Sequence, residues 1–470
     1  MVIKKAWLSM KYTSTIWLIS VLAAYFFIFL LSELVINDHA AVVLGSSYVV
    51  GNYSIGIIFT ALGYLAFALS RRLFEGEALR RGALAASGLI YLASMSAILF
   101  FAPPSLFTVI TCICTLSMGY MGGFVHYHAA VALQGSDCTG RVVGVSYFLA
   151  VTLQFVVQYF AETEHALLLC AAAGMALLFA VVLRPPRDWL FENPLPFERI
   201  PSAAPKELWV TVAIVALMSV LVGIFDGVLT SFHAAGELNL AGWPRLLLGI
   251  GELLAGVLYD FRKRAYMPLS ALCSALICTL GIVFLSFAPT LGMILFYFVG
   301  GFYVVYFTVS FLDLAPRTGN PALWAGMGRV SRSFLIGLTA APSELLFSAA
   351  DQNVVTIVNV LVFSVILVLF WLKGDLMPTR QAKLGNPDDK KTTLNDFAAR
   401  HQLTPRETEI MDIILTSDKG AKEISAEINV SERALYRYFN SLYEKTGVTS
   451  RIGLMILYYG AETPPKEGGE

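Results

Sequence analysis

Seven ionisable side chains lie inside long apolar runs of this sequence, where they are the residues best able to do chemistry. A charged group in such a run is costly, so it usually faces a polar cavity or a charged partner. Acids and histidines in that setting can bind a polar ligand or carry a proton. The alternative is structural, with neutral histidines hydrogen bonded inside a helix bundle and acids paired with arginines. The seven residues are Glu33, His126, His128, Asp226, Glu252, Arg332 and Glu344.

A second set of polar residues lies near the C-terminus, on one face of a predicted helix over residues 432–446. The opposite face of this helix is apolar and consists of Leu435, Phe439 and Leu442. Arginine can pair with guanine and asparagine with adenine, so a polar face of this composition is chemically suited to the edges of bases. The polar face consists of Arg433, Tyr436, Arg437 and Asn440.

Helix start and stop signals surround this polar face. Thr404, Pro405 and Glu407 form a capping box that predicts a helix over 405–415. A second short helix is predicted over 421–428, and Ser431 is placed to cap the third. Two short helices separated by a tight turn, the second rich in Arg, Tyr and Asn, form a helix-turn-helix.

The composition of the rest of the chain requires lipid. Hydrophobic residues make up 57% of the 470 residues and charged residues only 14%, which excludes an ordinary soluble protein. Continuous apolar runs of about twenty residues predict membrane-spanning helices. We predict twelve spans, near residues 15–36, 42–70, 84–101, 106–133, 141–161, 166–183, 208–231, 244–260, 266–288, 290–312, 323–349 and 353–372.

Basic residues orient these spans. Lys and Arg remain on the cytoplasmic side of short loops. With the N-terminus inside, alternate loops collect nearly all of the basic residues, from Arg71 and Arg72 to Arg317, while the opposite loops carry residues such as Asp38 and Glu164. The sequence therefore predicts a multi-pass protein of the inner, cytoplasmic membrane with both termini in the cytoplasm.

The spans divide into two halves, at about residues 1–184 and 207–373. Two short motifs occur once in each half: a Gly-Gly-Phe triplet in the fourth and tenth spans, and a Gly-Arg-Val triplet at the start of the fifth and eleventh. They are Gly122-Gly123-Phe124 and Gly300-Gly301-Phe302, and Gly140-Arg141-Val142 and Gly328-Arg329-Val330.

Twelve spans in two halves resemble the major facilitator superfamily. The segment from Gly256 to Arg264, with Asp260 at its centre, is similar to the gating loop of that superfamily. The resemblance implies that the first, fourth, seventh and tenth helices line a cavity. It thereby favours Glu33, His126 and Asp226 as candidate ligand-binding residues.

The C-terminal segment resembles the LuxR/FixJ (GerE-type) family over about residues 400–460. The resemblance implies a four-helix DNA-binding domain at 401–461, after a cytoplasmic linker at 374–400. It implies that Tyr436, Arg437 and Asn440 reach base edges and that Lys422, Arg433 and Arg451 contact phosphates. It also implies a homodimer on DNA, formed through a fourth helix. The matching elements are Leu403-Thr404-Pro405-Arg406-Glu407, Lys422-Glu423-Ile424, Val430-Ser431, Lys445, Gly447-Val448 and Arg451.

The fold predicted for the whole chain is therefore all-α, a twelve-helix transmembrane bundle followed by a four-helix helix-turn-helix domain. The favoured function is a membrane-embedded one-component transcription regulator, whose bundle senses a small molecule or a membrane signal. The alternative is a small-molecule transporter with a fused regulatory domain. No cysteine or histidine spacing suggests a metal site, and the sequence predicts neither a cofactor nor an enzymatic activity.

Overall fold

Two compact units make up the chain, Met1–Met377 and Pro378–Glu470. All regular secondary structure in the described residues is helical. The computed structural model describes residues 2–161, 163–182, 203–240, 242–261, 264–285, 287–349, 352–373, 387–416, 421–448, 454 and 457–458.

Twelve helices form the described part of the first unit, as the sequence predicts. Short 3₁₀ turns lie before α2 and α8 and after α10. The helices are α1 (Val2–Val43), α2 (Val49–Leu73), α3 (Glu77–Phe100), α4 (Pro104–Ala132), α5 (Thr139–Phe160), α6 (Glu164–Val182), α7 (Pro205–Ala234), α8 (Leu246–Asp260), α9 (Met267–Leu285), α10 (Pro289–Leu314), α11 (Pro321–Ala349) and α12 (Gln352–Lys373).

Nine of these twelve helices are long and apolar enough, within the described residues, to cross a membrane. The other three are α6, α8 and α11. The apolar stretch of α6 and the 15 residues of α8 are short for a span, although the 3₁₀ turn Trp243–Arg245 extends α8. α11 has 29 residues but carries Arg329 and Arg332 in its interior.

Helix packing repeats between the two halves. Within the first half α1 packs on α5, α2 on α4 and α3 on α4; within the second half α7 packs on α11, α8 on α10 and α9 on α10. Adding six to each helix number therefore converts one set of contacts into the other. The halves meet where α5 packs on α8 and α2 on α11. The predicted division into two six-helix halves is confirmed.

Glycines allow the closest helix crossings. A Cβ on Gly256 of α8 would lie 2.4 Å from the carbonyl oxygen of Gly140 of α5, and one on Gly144 would lie 2.5 Å from that of Glu252. Within the first half, Gly63 and Gly119 bring α2 and α4 together in the same way. Small residues at such crossings let helix backbones approach, which is how helices associate in lipid.

The repeated Gly-Arg-Val triplet is not in equivalent positions. Gly140 and Arg141 lie in the first turn of α5, and the Arg141 side chain is 56% exposed. α11 begins at Pro321, so Arg329 lies in its third turn, where it is only 3% exposed. The prediction that both triplets open a span is wrong, because α11 begins about two turns before its triplet.

The second unit has its own apolar core. Ile410, Ile414, Ile424, Leu435 and Leu442 are fully buried in it. Residues 449–453, 455–456 and 459–461 of the predicted fourth helix lie outside the described residues, although 454, 457 and 458 are helical. The helices are α13 (Pro387–Arg400), α14 (Pro405–Thr416), α15 (Ala421–Glu427) and α16 (Glu432–Thr446).

The linker predicted over 374–400 is wrong in its second part, because residues 387–400 form α13. Leu394 and Phe397 are buried in the core of the second unit, and the Phe397 ring packs edge-on against Tyr458 at 5.2 Å. These two residues are three apart, so they form one apolar face on a helix that is otherwise charged. Residues 374–386 lie outside the described residues.

Candidate functional site

The capping box predicted at the start of α14 is present. The backbone N–H of Thr404 donates to Glu407 Oε2 at 2.7 Å, and the N–H of Glu407 donates to Thr404 Oγ1 at 3.3 Å. Two amide groups that the helix itself leaves without partners are satisfied in this way. The helix α14, which precedes the helix-turn-helix, therefore begins at a defined residue.

Glu407 also connects α14 to α16. Ser441 Oγ donates to its Oε1 at 2.6 Å, and Lys445 Nζ donates to its Oε2 at 2.7 Å. Burial raises the pKa of this carboxyl, but the hydrogen bonds from Lys445, Ser441 and Thr404 outweigh burial and lower the pKa to about 2. The ionised carboxylate thus fixes where α16 lies relative to α14.

The turn between α15 and α16 has a tight backbone. Asn429 adopts a left-handed conformation with φ 53°, which asparagine tolerates better than most residues. Ser431 Oγ then accepts a hydrogen bond from the N–H of Ala434 at 3.2 Å and caps α16. Gly447, with φ 70°, ends the helix.

The predicted polar face of α16 is exposed. The side chains of Arg433, Tyr436, Arg437 and Asn440 all face solvent, and none of these side chains hydrogen bonds with a described residue. On the opposite face Leu435 and Leu442 are 0% exposed. α16 therefore presents two arginines, a tyrosine and an asparagine on one free surface.

Two predicted phosphate contacts cannot be placed beside that face. Lys422 lies in α15, but its side chain lies outside the described residues, as does the whole of Arg451. The residues predicted to form the dimer interface also lie outside them: Ile452, Met455, Ile456 and Tyr459.

A polar cavity in the first unit contains two of the three predicted ligand residues. Glu33 of α1 and Asp226 of α7 both line this cavity, which has a volume of about 90 Å³. Tyr53 OH donates to Asp226 Oδ2 at 2.5 Å. α1, α2, α7, α8, α10 and α11 all contribute lining residues, so the cavity lies between the two halves.

Three arginines also line this cavity. Of these, the sequence indicated Arg332 as an ionisable residue in a span but missed Arg245 and Arg329. Arg245 Nε donates to Gln154 Oε1 at 2.7 Å and so joins the 3₁₀ turn before α8 to α5. Arg329 was missed because it was placed at a span end, where an arginine reaches headgroups at little cost. A corrected start for α11 would have identified it.

His126, the third predicted ligand residue, does not line the cavity with Glu33 and Asp226. Its Nδ1 lies 2.8 Å from the carbonyl oxygen of Gly122, and its Nε2 lies 3.4 Å from Tyr147 OH. His126 is thus hydrogen bonded inside the bundle, which matches the structural alternative for the buried histidines.

The segment that resembles a gating loop joins the two halves. Asp260, at the end of α8, accepts hydrogen bonds from the backbone N–H groups of Gly140 at 2.8 Å and Arg141 at 2.7 Å. Arg264 donates to Asp260 and, at 2.9 Å, to Asp313. A carboxylate at the first turn of α5 is favourable for the helix dipole. The halves are therefore held together at the end of the bundle where α5 begins.

The geometry defines a helix-turn-helix in the second unit and, in the described residues of the first unit, a bundle of twelve helices in two halves. Residues 401–458 match the family described as bacterial regulatory proteins, luxR family. These residues are a LuxR-type domain, and they are fused in one multi-pass membrane protein to a bundle with the major facilitator superfamily fold.

Solved structures similar to the bundle are transporters. The human organic anion transporter MFSD10 (TETRAN) is 16% identical, with a TM-score of 0.52, over 77% of this chain and 98% of its own. A POT family transporter in complex with a thioalcohol-conjugated peptide is 13% identical, with a TM-score of 0.56, over 77% of this chain and 96% of its own. At these identities the likeness concerns the fold alone. No curated protein sequence matches the chain.

Proposed function

We propose that this protein is a membrane-embedded one-component transcription regulator that senses a small molecule. The observation that supports this most is the fusion of a LuxR-type domain, with a free polar face on α16, to a transporter-type bundle with a polar cavity. A one-component regulator needs both a sensor and a DNA-binding unit in the same chain. The matched family is a regulator and the matched structures are transporters, so we propose no catalytic role.

Within the regulator, Tyr436, Arg437 and Asn440 read bases, while Arg433, Lys422 and Arg451 bind phosphates. Exposure of the first four, without hydrogen bonds to described residues, supports this assignment. The second unit has eight basic and nine acidic residues over 393–460, so its nonspecific affinity for DNA is weak. Binding then depends on two domains acting together, as a homodimer through the fourth helix.

The sensing part is the cavity of the bundle, with Glu33 and Asp226 in its wall. His126 lies outside this wall and is hydrogen bonded to Tyr147. The protein lies in the inner, cytoplasmic membrane with both termini inside, because the basic residues of its loops alternate accordingly. Ligand binding changes how bundles associate, and associated bundles raise the effective concentration of their DNA-binding domains.

Genome-wide mapping of bound DNA tests the regulator. We expect an Arg437→Ala, Asn440→Ala double variant to lose the sites of the wild type, because each bidentate pair contributes about 1–3 kcal/mol of base discrimination. Arg400→Ala removes an exposed arginine of α13 and serves as the matched control, with sites unchanged. Identical profiles for wild type and double variant would contradict the base-reading assignment.

A working transporter with a regulatory domain is the second candidate. It is supported by a cavity bounded by helices of both halves, the arrangement that alternating access requires. Uptake of radiolabelled compounds into vesicles tests it, with Asp226→Asn as the variant and Arg81→Gln, an exposed ion-paired arginine of α3, as the control. Uptake that Asp226→Asn abolishes would favour the transporter over a dedicated sensor.

A further inference from the structure

Arg329 is a buried cation in the cavity wall, and no carboxylate of the described residues is in hydrogen-bond contact with it. Its guanidinium carbon lies 4.8 Å from the ring centre of Phe26, 4.9 Å from that of Phe307 and 5.3 Å from that of Tyr147. Aromatic faces stabilise a cation but accept no N–H hydrogen bonds along its edges. Accordingly, Nε and Nη2 have no hydrogen-bond partner among the described residues.

The two nitrogens without partners, Nε and Nη2, are neighbours on the guanidinium group of Arg329. Nε and Nη2 form one edge of the guanidinium, the edge that pairs with both oxygens of a carboxylate through two parallel hydrogen bonds. A donor pair buried without acceptors costs free energy that a ligand can recover. Arg329, at 3% exposure and in the cavity wall, thus provides a preformed binding edge for a planar oxyanion.

Arg332 adds a second cation on the same side of α11. It lies three residues after Arg329 and also lines the cavity, and its Nε and Nη1 have no hydrogen-bond partner among the described residues. Residues three apart are neighbours on a helix surface. The other arginine of the wall, Arg245, is already bonded to Gln154.

The charges of the wall sum to one positive charge. Three arginines, Arg245, Arg329 and Arg332, lie against two acids, Glu33 and Asp226, which gives 3 − 2 = +1. His233, also in the wall, is hydrogen bonded to Asp38. One carboxylate oxygen of Asp226, Oδ2, already accepts a hydrogen bond from Tyr53. Glu252 of α8 does not line the cavity, but its buried carboxylate has no hydrogen-bond partner among the described residues and interacts electrostatically with Arg329 and Arg245. With Glu252 counted the charges balance, so the unpartnered edge of Arg329, rather than the net charge, supports an anionic ligand.

The remaining wall is largely apolar and aromatic. Phe26, Phe29 and Leu30 of α1 and Phe296 and Tyr297 of α10 line it. Such surfaces bury the hydrocarbon part of a ligand, while a few polar groups fix its orientation.

We propose that the cavity binds a small organic monoanion, with its carboxylate on Arg329 and Arg332 and its apolar body against the aromatic wall. This inference rests on the proposed ligand-sensing role of the bundle, and it deepens that role by naming the chemical class of the ligand. Its test involves no DNA, so it fails or succeeds separately from the DNA-binding assignment.

Thermal unfolding of the full chain in lipid nanodiscs tests the proposal, with benzoate and phenylacetate as probes. We expect both carboxylates to raise the unfolding midpoint in a saturable manner, because a ligand that binds only the folded state stabilises it. Benzamide and phenylacetamide, which match them in shape but carry no charge, are expected to leave the midpoint unchanged.

Four variants complete the test. Arg329→Gln and Arg332→Gln are each expected to weaken the apparent affinity roughly tenfold to hundredfold, as for the loss of a charge-assisted hydrogen bond. Arg329→Lys keeps the charge without the bidentate edge and should have an intermediate effect. Arg81→Gln, an exposed ion-paired arginine of α3, should behave as the wild type.

Three results would overturn the proposal. They are the absence of a saturable shift with either carboxylate, an equal shift with the amides, and full retention of the shift in each of Arg329→Gln and Arg332→Gln that folds. Since two arginines are replaced separately, misfolding of one variant still leaves the other to decide.

Discussion

Glu407 links two helices of the second unit, α14 and α16, through one carboxylate. It satisfies the first turn of α14, and it accepts from Ser441 and Lys445 of α16. This carboxylate therefore sets the position of the exposed residues of α16, which we propose contact DNA. We therefore expect a change at Glu407 to weaken the proposed DNA binding without removing any residue of the polar face.

The stability of the C-terminal unit should depend on pH through Glu407. Its pKa of about 2 in the folded unit lies below the ordinary value of 4.5, so the ionised form stabilises the fold above about pH 4.5. That stabilisation, on the order of 1–3 kcal/mol, is lost as the pH falls from about 4.5 to 2. Urea unfolding of a 387–470 fragment from pH 7 to 3 measures the loss.

Glu407→Gln should be less stable at pH 7 and should lose less on acidification, because it has no carboxylate to protonate. Glu444→Gln, at an exposed position of α16, is the matched control and should follow the wild type. Parallel stability profiles for wild type and Glu407→Gln would show that this carboxylate does not couple folding to pH.

Among elements, α13 gives the second unit part of its core. Phe397→Ala removes a side chain that is 2% exposed and packs on Tyr458. We expect the free energy of unfolding of the 387–470 fragment to fall by about 3 kcal/mol, as is usual when a core phenylalanine is truncated. Asn395→Ala, at an exposed position of the same helix, should change it little. Equal stability of the two variants would mean that α13 does not belong to the core.

The close crossing of α5 and α8 depends on glycines, which have no side chain at the contact. An alanine Cβ at Gly256 would lie 2.4 Å from a backbone oxygen of α5, so the helices would have to separate. Gly256→Ala should destabilise the bundle by about 1–3 kcal/mol, visible as a lower thermal unfolding midpoint in detergent. Gly82→Ala in α3, where a Cβ meets nothing within 4 Å, is the control. An unchanged midpoint for Gly256→Ala would contradict the close crossing.

Helices were predicted correctly from the sequence where the pattern of apolar residues was clear. Apolar runs located all twelve bundle helices, and the spacing of Leu435, Phe439 and Leu442 gave the buried face of α16. α13 was missed because charges at 388–391 obscured the two core residues, Leu394 and Phe397. The spacing of two apolar residues does not show that they are buried when the other residues of the helix are charged.

The cavity was only partly predictable. Glu33 and Asp226 were identified by charge within apolar runs, and they do lie in one cavity. His126 meets the same criterion but lies in a hydrogen-bond network, and Arg329 was assigned to a span end. Which buried polar group faces a cavity depends on helix rotation and packing across the halves, and a single sequence does not contain that information.

At the scale of the whole molecule, the regulator requires its C-terminal unit in the cytoplasm. Reporter fusions at Glu470 and in the loop between α7 and α8 should give opposite results, with the C-terminus inside. A fusion in the loop between α8 and α9 serves as the internal control, since it should agree with the C-terminus. A C-terminus on the outer side would exclude DNA binding in the cell.

The stretch from the end of α12 at Lys373 to the start of α13 at Pro387 limits where transcription can be controlled. Thirteen intervening residues, even fully extended, cannot span more than about 50 Å. A freely diffusing regulator searches the chromosome, but this one stays at the bilayer. Its operator must therefore travel to the envelope, so the accessibility of a gene would depend on how the nucleoid is arranged beneath the membrane.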